Sequence, residues 1–327
     1  MKLRLKGHPP VLSPPPPPSY PAEVVTAGLQ AVWDLYTTSG SRVSSYTAFG
    51  SLTPVPGGVT RTTNVVGPAC GISSTASMSG VDFSGYGLWI SATGTVATLT
   101  DCSIPGASTL RVFNGTNPSG SQVGAPTLGL EHVTMNLAGG EIADHAMLQN
   151  TGPNCAMTIN GCRIYASPRT GANIKGNLNL TNTLWGAFGT TFVSGDHTEC
   201  IQLSDGTFVI DGCLFDPTYG GTILSGITGC IQLQALNGVP TSLTISNSIF
   251  ANSAGLLDAP LSFKADFANI TVTLTNNVIQ KGMQSGAGRT GYIIPAVTSG
   301  RTLTIIDSGN NIDFDDGHTL SLGGVLT

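Results

Sequence analysis

The densest group of chemically capable side chains in this sequence is Ser194-Gly-Asp196-His197-Thr-Glu199-Cys-Ile-Gln202-Leu-Ser-Asp205-Gly206. Hydrolysis of a glycosidic bond needs two carboxyl groups, one on each side of the bond and about 5–10 Å apart. Asp196 and Glu199 are the candidate pair, with His197 placed to orient them, and Asp205 and Asp216 are further carboxylates nearby. Lyase chemistry needs a base and usually Ca²⁺ ligands. Lys175 and Arg163 supply cations, but no acidic cluster with ligand spacing accompanies them. A second set, Gln149, Lys175, Gln202 and Gln232, offers amides and an ammonium that suit sugar hydroxyls. Trp89 is a candidate stacking platform, whereas Trp185 falls at an apolar repeat position and reads as core. A structural reading competes with both. Amides stacked along a repeat hydrogen-bond to one another, and such networks resemble sites.

Other groups carry less. Asp313, Asp315, Asp316 and His318 resemble a metal site, but a charge run of this kind reads as a solvated turn. His132 follows Glu131 at a turn position and reads as a corner residue. Seven cysteines form no CxxC pair, which argues against zinc and thioredoxin-like chemistry. Neither a metal nor a cofactor is expected. The net charge is −5, with no basic patch among interleaved aromatics, so nucleic acid is not the expected partner. No run of 18 apolar residues exists to span a membrane. The start, Met-Lys-Leu-Arg-Leu-Lys-Gly, lacks the apolar core of a signal peptide.

The elements that must position these groups announce themselves by repetition. An apolar residue is followed two places on by Gly, Asn, Asp or His, then by a small residue, then by a second apolar residue at the fifth place. Copies begin at Met78, Leu99, Leu130, Ile159, Leu180, Ile210, Ile245 and Leu274, with a degraded copy at Ile305-Ile-Asp307-Ser308. Steps of 21–35 residues mark a solenoid. Charged residues are only 9 % and glycines number 43, which suits short strands and tight turns rather than helices. Gly80, Asp101, Gly161, Asn182, Gly212, Asn247, Asn276 and Asp307 take the turn place, where a sharp corner needs a left-handed backbone. Cys102, Cys162 and Cys213 share the small place and read as fillers of a buried slot; Cys200 and Cys230 share another column and are expected to stack.

A second strand precedes each motif. Ile90, Leu148, Ile174, Ile201, Ile231 and Leu261 are expected to point inward, and Ser91, Gln149, Lys175, Gln202, Gln232 and Ser262 outward. Residues 1–22 hold Pro9-Pro10 and Pro14 to Pro18, a polyproline spacer. Residues 23–36 read as a helix with Val24, Ala27, Ala31 and Leu35 on one face and Trp33 beside it; covering the open end of the solenoid is its expected role. Residues 23–64 thus form a cap and lead-in, residues 65–315 the solenoid, and residues 316–327 a terminal turn.

Three strands per coil with a left-handed corner resemble the right-handed parallel β-helix superfamily, which is pectin-lyase-like, over residues 65–315. His197-x-Glu199-x-x-Gln202, then Gly206 and Ile210-x-x-Cys213-x-Phe215, is similar to an H-x-D-x-x-Q element of phage-tail and secreted polysaccharide-active β-helices, with Glu in place of Asp; Asp144-His145 through Gln149 is a partial copy. The resemblance implies an all-β, single-stranded right-handed parallel β-helix of about nine coils. It implies a virion structural protein of the phage minor-tail type, trimeric, held to other virion proteins by its proline arm and facing host-surface polysaccharide. A polysaccharide depolymerase, hydrolase or lyase, is the alternative, and a particle decoration protein the third.

Overall fold

The computed structural model describes residues 27–53, 58–64, 67–105, 112–115, 124–136, 148–165, 170–186, 199–217, 219, 229–251, 259–282 and 291–327. Strands dominate, and they pair in parallel from each pass of the chain to the next. Ten short strands, from Thr47–Ala48 and Val81–Asp82 through Leu184–Gly186 and Leu214–Asp216 to Ile312–Asp313, form one sheet in chain order. Eighteen strands form the other sheet, which wraps two sides because Leu148–Asn160 and Ala172–Thr181 run through both. One of these sides, termed the amide face, includes Gly87–Ile90, Glu199–Ser204, Gly229–Gln234 and Leu261–Ala265. The other includes Val96–Thr100, Thr207–Asp211, Thr241–Ser246 and Ile270–Thr275. The chain is therefore an all-β, solenoid-like fold built on long parallel sheets.

The corner residues behave as their types demand. Gly80, Asp101, His132, Gly161, Asn182, Gly212, Asn247 and Asn276 all have φ between 48° and 65°. Such values favour Gly, Asn and Asp, and they place His132 at a corner, with Nδ1 3.9 Å from Asp101 Oδ1. The small residue that follows is buried in all eight of these copies. Where it is Thr, Ser or Asn, its side chain accepts a hydrogen bond from the same backbone position one coil earlier: Cys162 N–H to Thr183 Oγ1 at 3.2 Å, Cys213 N–H to Ser248 Oγ at 3.1 Å, and Ser248 N–H to Asn277 Oδ1 at 3.0 Å. A buried N–H without such an acceptor is costly. The cysteines fill the same slot, with Cys162 Sγ against Leu130 O and Cys213 Sγ against Leu180 O, both at 3.5 Å. All seven cysteines are buried and unbridged, and burial pushes the Cys162 and Cys213 thiols up to about 12, so they are not nucleophiles at neutral pH.

One degraded copy takes a different register. Ile305 pairs with Val272, not with Leu274, and Leu274 pairs with Asp307. Asn310 (φ 57°) rather than Asp307 therefore turns the corner. Asn311 fills the slot, accepting from Asn277 N–H at 3.0 Å. The terminal segment is more than a turn. Gly324–Leu326 pairs antiparallel with Leu303–Asp307, and Leu320 and Leu322 join the core. At the other end Val59–Asn64 pairs antiparallel with Gly67–Ile72, and buried Phe49 stacks on Phe83 with centroids 5.3 Å apart. Antiparallel partners occupy edges that would otherwise recruit other chains.

The helical segment corrects the expected cap. It forms two helices, α1 (Ala27–Trp33) and α2 (Leu35–Thr38), that lie on the outer face of the ten-stranded sheet, not over an open end. Leu29, Val32, Leu35 and Tyr36 pack on Leu184, Leu214, Ile249 and Val278, while Ala31 is exposed. The bulkier side chains at i, i+3 and i+7 win this face because they bury more apolar area. Tyr36 OH donates to Asp216 Oδ2 at 2.6 Å, and Trp33 meets Phe314 with centroids 6.3 Å apart. The chain then crosses successive coils as a strap: Gly40 N–H to Gly161 O, Ser41 Oγ to Asp101 O, and Thr47 N–H to Gly80 O, at 2.8, 3.0 and 2.8 Å.

Candidate functional site

Strand alternation builds the amide face. Ile201, Leu203, Ile231, Leu233, Leu261 and Phe263 point into the core, so the residues between them point out. Parallel register aligns two outward columns. The first runs Gln149, Asn173, Gln202, Gln232, Ser262. The second runs Lys175, Ser204, Gln234, Lys264. The expected inward residues Ile90, Leu148, Ile174, Ile201, Ile231 and Leu261 are all buried in the core. Lys175 nevertheless stands two residues along from its expected column, opposite Ser204 rather than Gln202, and its place beside Gln202 belongs to Asn173. Asn150 replaces Ile174's equivalent one coil earlier: it is buried, and Asn114 Nδ2 donates to its Oδ1 at 2.8 Å. Cys200 and Cys230 stand opposite one another between paired neighbours, as expected.

The amides form a ladder across coils. Asn173 Nδ2 donates to Gln202 Oε1 at 3.2 Å, and Gln202 Nε2 donates to Gln234 Oε1 at 3.4 Å. In the orientation that satisfies its inner neighbours, the buried Gln232 amide donates to Glu199 Oε1 at 3.1 Å and accepts from Lys264 Nζ at 2.5 Å. Gln149, Lys175 and Gln202 are half-buried. Trp89 occupies the same outward face near one end, lying over Gly71, where a Cβ would come within 2.8 Å of its ring. Trp185 is in the core.

Glu199 is the chemically distinctive group. It is fully buried at the start of its strand, opposite Gly229. A side chain at Gly229 would meet Ala259 O at 2.6 Å, so glycine permits the close approach there. Burial pushes the Glu199 carboxyl up to about 7; Lys264 and a hydrogen bond from Thr170 Oγ1 (3.5 Å) pull the other way. Asp196 and His197, the other expected catalytic residues, lie outside the described residues. Asp205 serves the backbone, its Oδ1 accepting from Leu236 and Asn237 N–H at 2.9 and 3.0 Å. Asp216 holds Tyr36. Asp313, Asp316 and His318 bring ligand atoms within 4.8 Å of one another, and Asp313 already accepts from Asp315 N–H at 2.7 Å and Tyr292 OH at 2.5 Å.

Sequence reasoning missed Asn173, Ser204, Gln234 and Lys264. Their signal was present, since each lies two residues from a residue already placed on the outward side. Among the described residues no helix is long and apolar enough to cross a membrane. No protein-family model, curated protein or solved structure matches this chain.

Proposed function

We propose that this chain is a rigid display protein, a right-handed parallel β-helix of about nine coils that a phage tail presents to host-surface glycan. The outward amides Gln149, Asn173 and Gln202, half-buried and set in register on a parallel sheet, carry the reading. Amides supply both donors and acceptors, which is what sugar hydroxyls require, and a sheet holds them without the entropy cost of ordering loops. The Pro-rich arm of residues 1–22 serves attachment to other virion proteins, and the assembly is a homotrimer. Depolymerase activity is the second reading. It assigns the general acid to Glu199, whose carboxyl is lifted to about 7 by burial, and it requires substrate to reach a group that is fully buried.

Binding and turnover separate the two. Incubated with capsular and cell-wall polysaccharides, the protein should bind without releasing reducing ends or unsaturated products. Gln149→Ala with Gln202→Ala should weaken binding about tenfold, the loss expected for one or two hydrogen bonds. Turnover that Glu199→Gln abolishes would overturn the display reading in favour of the enzyme. Failure to bind any glycan would sink both.

A further inference from the structure

Two of the seven cysteines differ from the rest in their surroundings. Glu199 lies opposite Gly229 and Ile201 opposite Ile231, so the intervening Cys200 and Cys230 face each other on adjacent parallel strands. Side-chain alternation breaks at this point in both coils. Cys200 and Ile201 are consecutive yet both pack in the core, and so do Cys230 and Ile231. Pro260 O accepts from both Cys230 N–H (2.9 Å) and Ile231 N–H (3.1 Å), a bulge-like irregularity of the ladder. Both thiols therefore turn inward together, and both are fully buried. The Cys200 thiol is pushed well above its ordinary range, first by burial and next by its hydrogen bond with the Cys230 thiol. The other five have different neighbours. Cys102, Cys162 and Cys213 share a column, but Val133 and Thr183 stand between them, so successive cysteines there are two strand spacings, roughly 9–10 Å, apart. Cys70 lies opposite Arg61 and Leu88, and Cys155 Sγ sits against Gly124 O at 3.6 Å.

We propose that Cys200 and Cys230 are a redox clasp: free thiols in a reducing compartment, and a disulfide between adjacent coils in an oxidising one. Adjacent parallel strands run about 4.8 Å apart, inside the Cα separation of about 4.4–6.8 Å that a disulfide bridges. Successive slot cysteines, at twice the strand spacing, fall outside that range. The reaction needs an acceptor for two electrons, here a low-molecular-weight disulfide such as oxidised glutathione. One cysteine thiolate attacks a glutathione sulfur and expels the first glutathione thiolate. The second cysteine thiolate then displaces the other glutathione, so the S–S bond closes while two protons and two electrons leave on two glutathione thiols. Burial keeps the Cys200 thiol protonated in the closed fold, so exchange takes place while the coils assemble or open. The bond ties together the strands that carry Gln202 and Gln232 and closes a ring from 200 to 230, which opposes parting of these two coils. Oxidising surroundings outside a cell preserve such a bond, and a reducing cytosol removes it.

The test takes the full chain, purified reduced, and equilibrates it in low urea, which opens the coils transiently, with either a glutathione redox buffer or dithiothreitol. Remaining thiols are then alkylated under denaturing conditions and mapped by mass spectrometry. The oxidised sample should lose two of its seven free thiols and give one disulfide-linked peptide pair, Cys200 with Cys230. Its melting temperature should exceed that of the reduced sample by about 5 °C or more, the scale for closing a ring of this length in a large chain. Dithiothreitol should abolish the difference. Cys200→Ala and Cys230→Ala should each keep all their remaining thiols and melt alike in both buffers, whereas Cys213→Ala should still form the bridge. Seven free thiols after equilibration, glutathione retained on a single cysteine, or a bridge between any other pair would overturn the proposal. A bridge between Cys200 and Cys230 that leaves the melting temperature unchanged would overturn its role as a clasp.

Discussion

Phe215→Ala should destabilise the fold by about 3–5 kcal/mol, the range for deleting a large aromatic from a packed core. Phe215 is fully buried, and its ring stacks on Phe250 one coil later with centroids 4.9 Å apart and planes parallel. Its neighbours are fixed by parallel pairing, with Leu214 against Ile249 and Phe215 against Phe250, so the coil cannot collapse into the void. The same strand presents Leu214 to the strap on its other face and ends at Asp216, which holds Tyr36. A loosened strand therefore loosens the strap too. Urea unfolding followed by far-UV circular dichroism measures the loss, with the exposed Val209→Ala as a control near zero. Loss of the array in two separate transitions would show the coils uncoupling at this point, as nearest-neighbour energetics allow. A loss below about 1 kcal/mol, the scale of a surface change, would contradict the packing described.

Glu199→Gln should change stability in a pH-dependent way. Burial lifts the carboxyl from 4.5 to about 7 in the folded chain. The folded protein therefore keeps a proton that the unfolded chain releases, and stability falls as pH rises between those values. Below pH 4.5 the full contribution is present; above about 7 the charged form bears the whole cost, on the order of 3 kcal/mol. The glutamine variant should lack this fall. It should match the parent near pH 4 and exceed it near pH 8, read from denaturant midpoints across the range. Parallel curves for the two proteins would show that Glu199 titrates normally.

Much of this architecture is legible in the residue pattern, for physical reasons that also mark its limits. Left-handed corners restrict residue choice severely, so Asp101, Asn182 and Asn247 identify themselves. The slot tolerates only small side chains, and the ones that hydrogen-bond back to the previous coil recur. Register within the amide face is different. Side chains alternate with period two, so sliding a strand by two residues preserves every inward and outward assignment. Pattern alone therefore allows Lys175 beside Gln202, although the pairing puts Asn173 there. The strap's position left a trace too. The fourth motif position is polar at Asp82, Ser103, Thr134 and Arg163, then apolar at Leu184, Leu214, Ile249 and Val278. An outward apolar strip needs a cover, and α1 and α2 supply it. Helical periodicity names an apolar face but not where it docks.

Lysine acetylation footprinting of the full chain, with and without bound glycan, tests the amide face most directly as the binding surface. Lys175 and Lys264 stand on that face and Lys281 lies beyond its strands. Saturating glycan should slow acetylation of Lys175 and Lys264 by about tenfold, the change that corresponds to about 1.4 kcal/mol of added protection, and leave Lys281 unchanged. Binding that protects Lys281 alone, or none of the three, would place the glycan elsewhere and contradict the account.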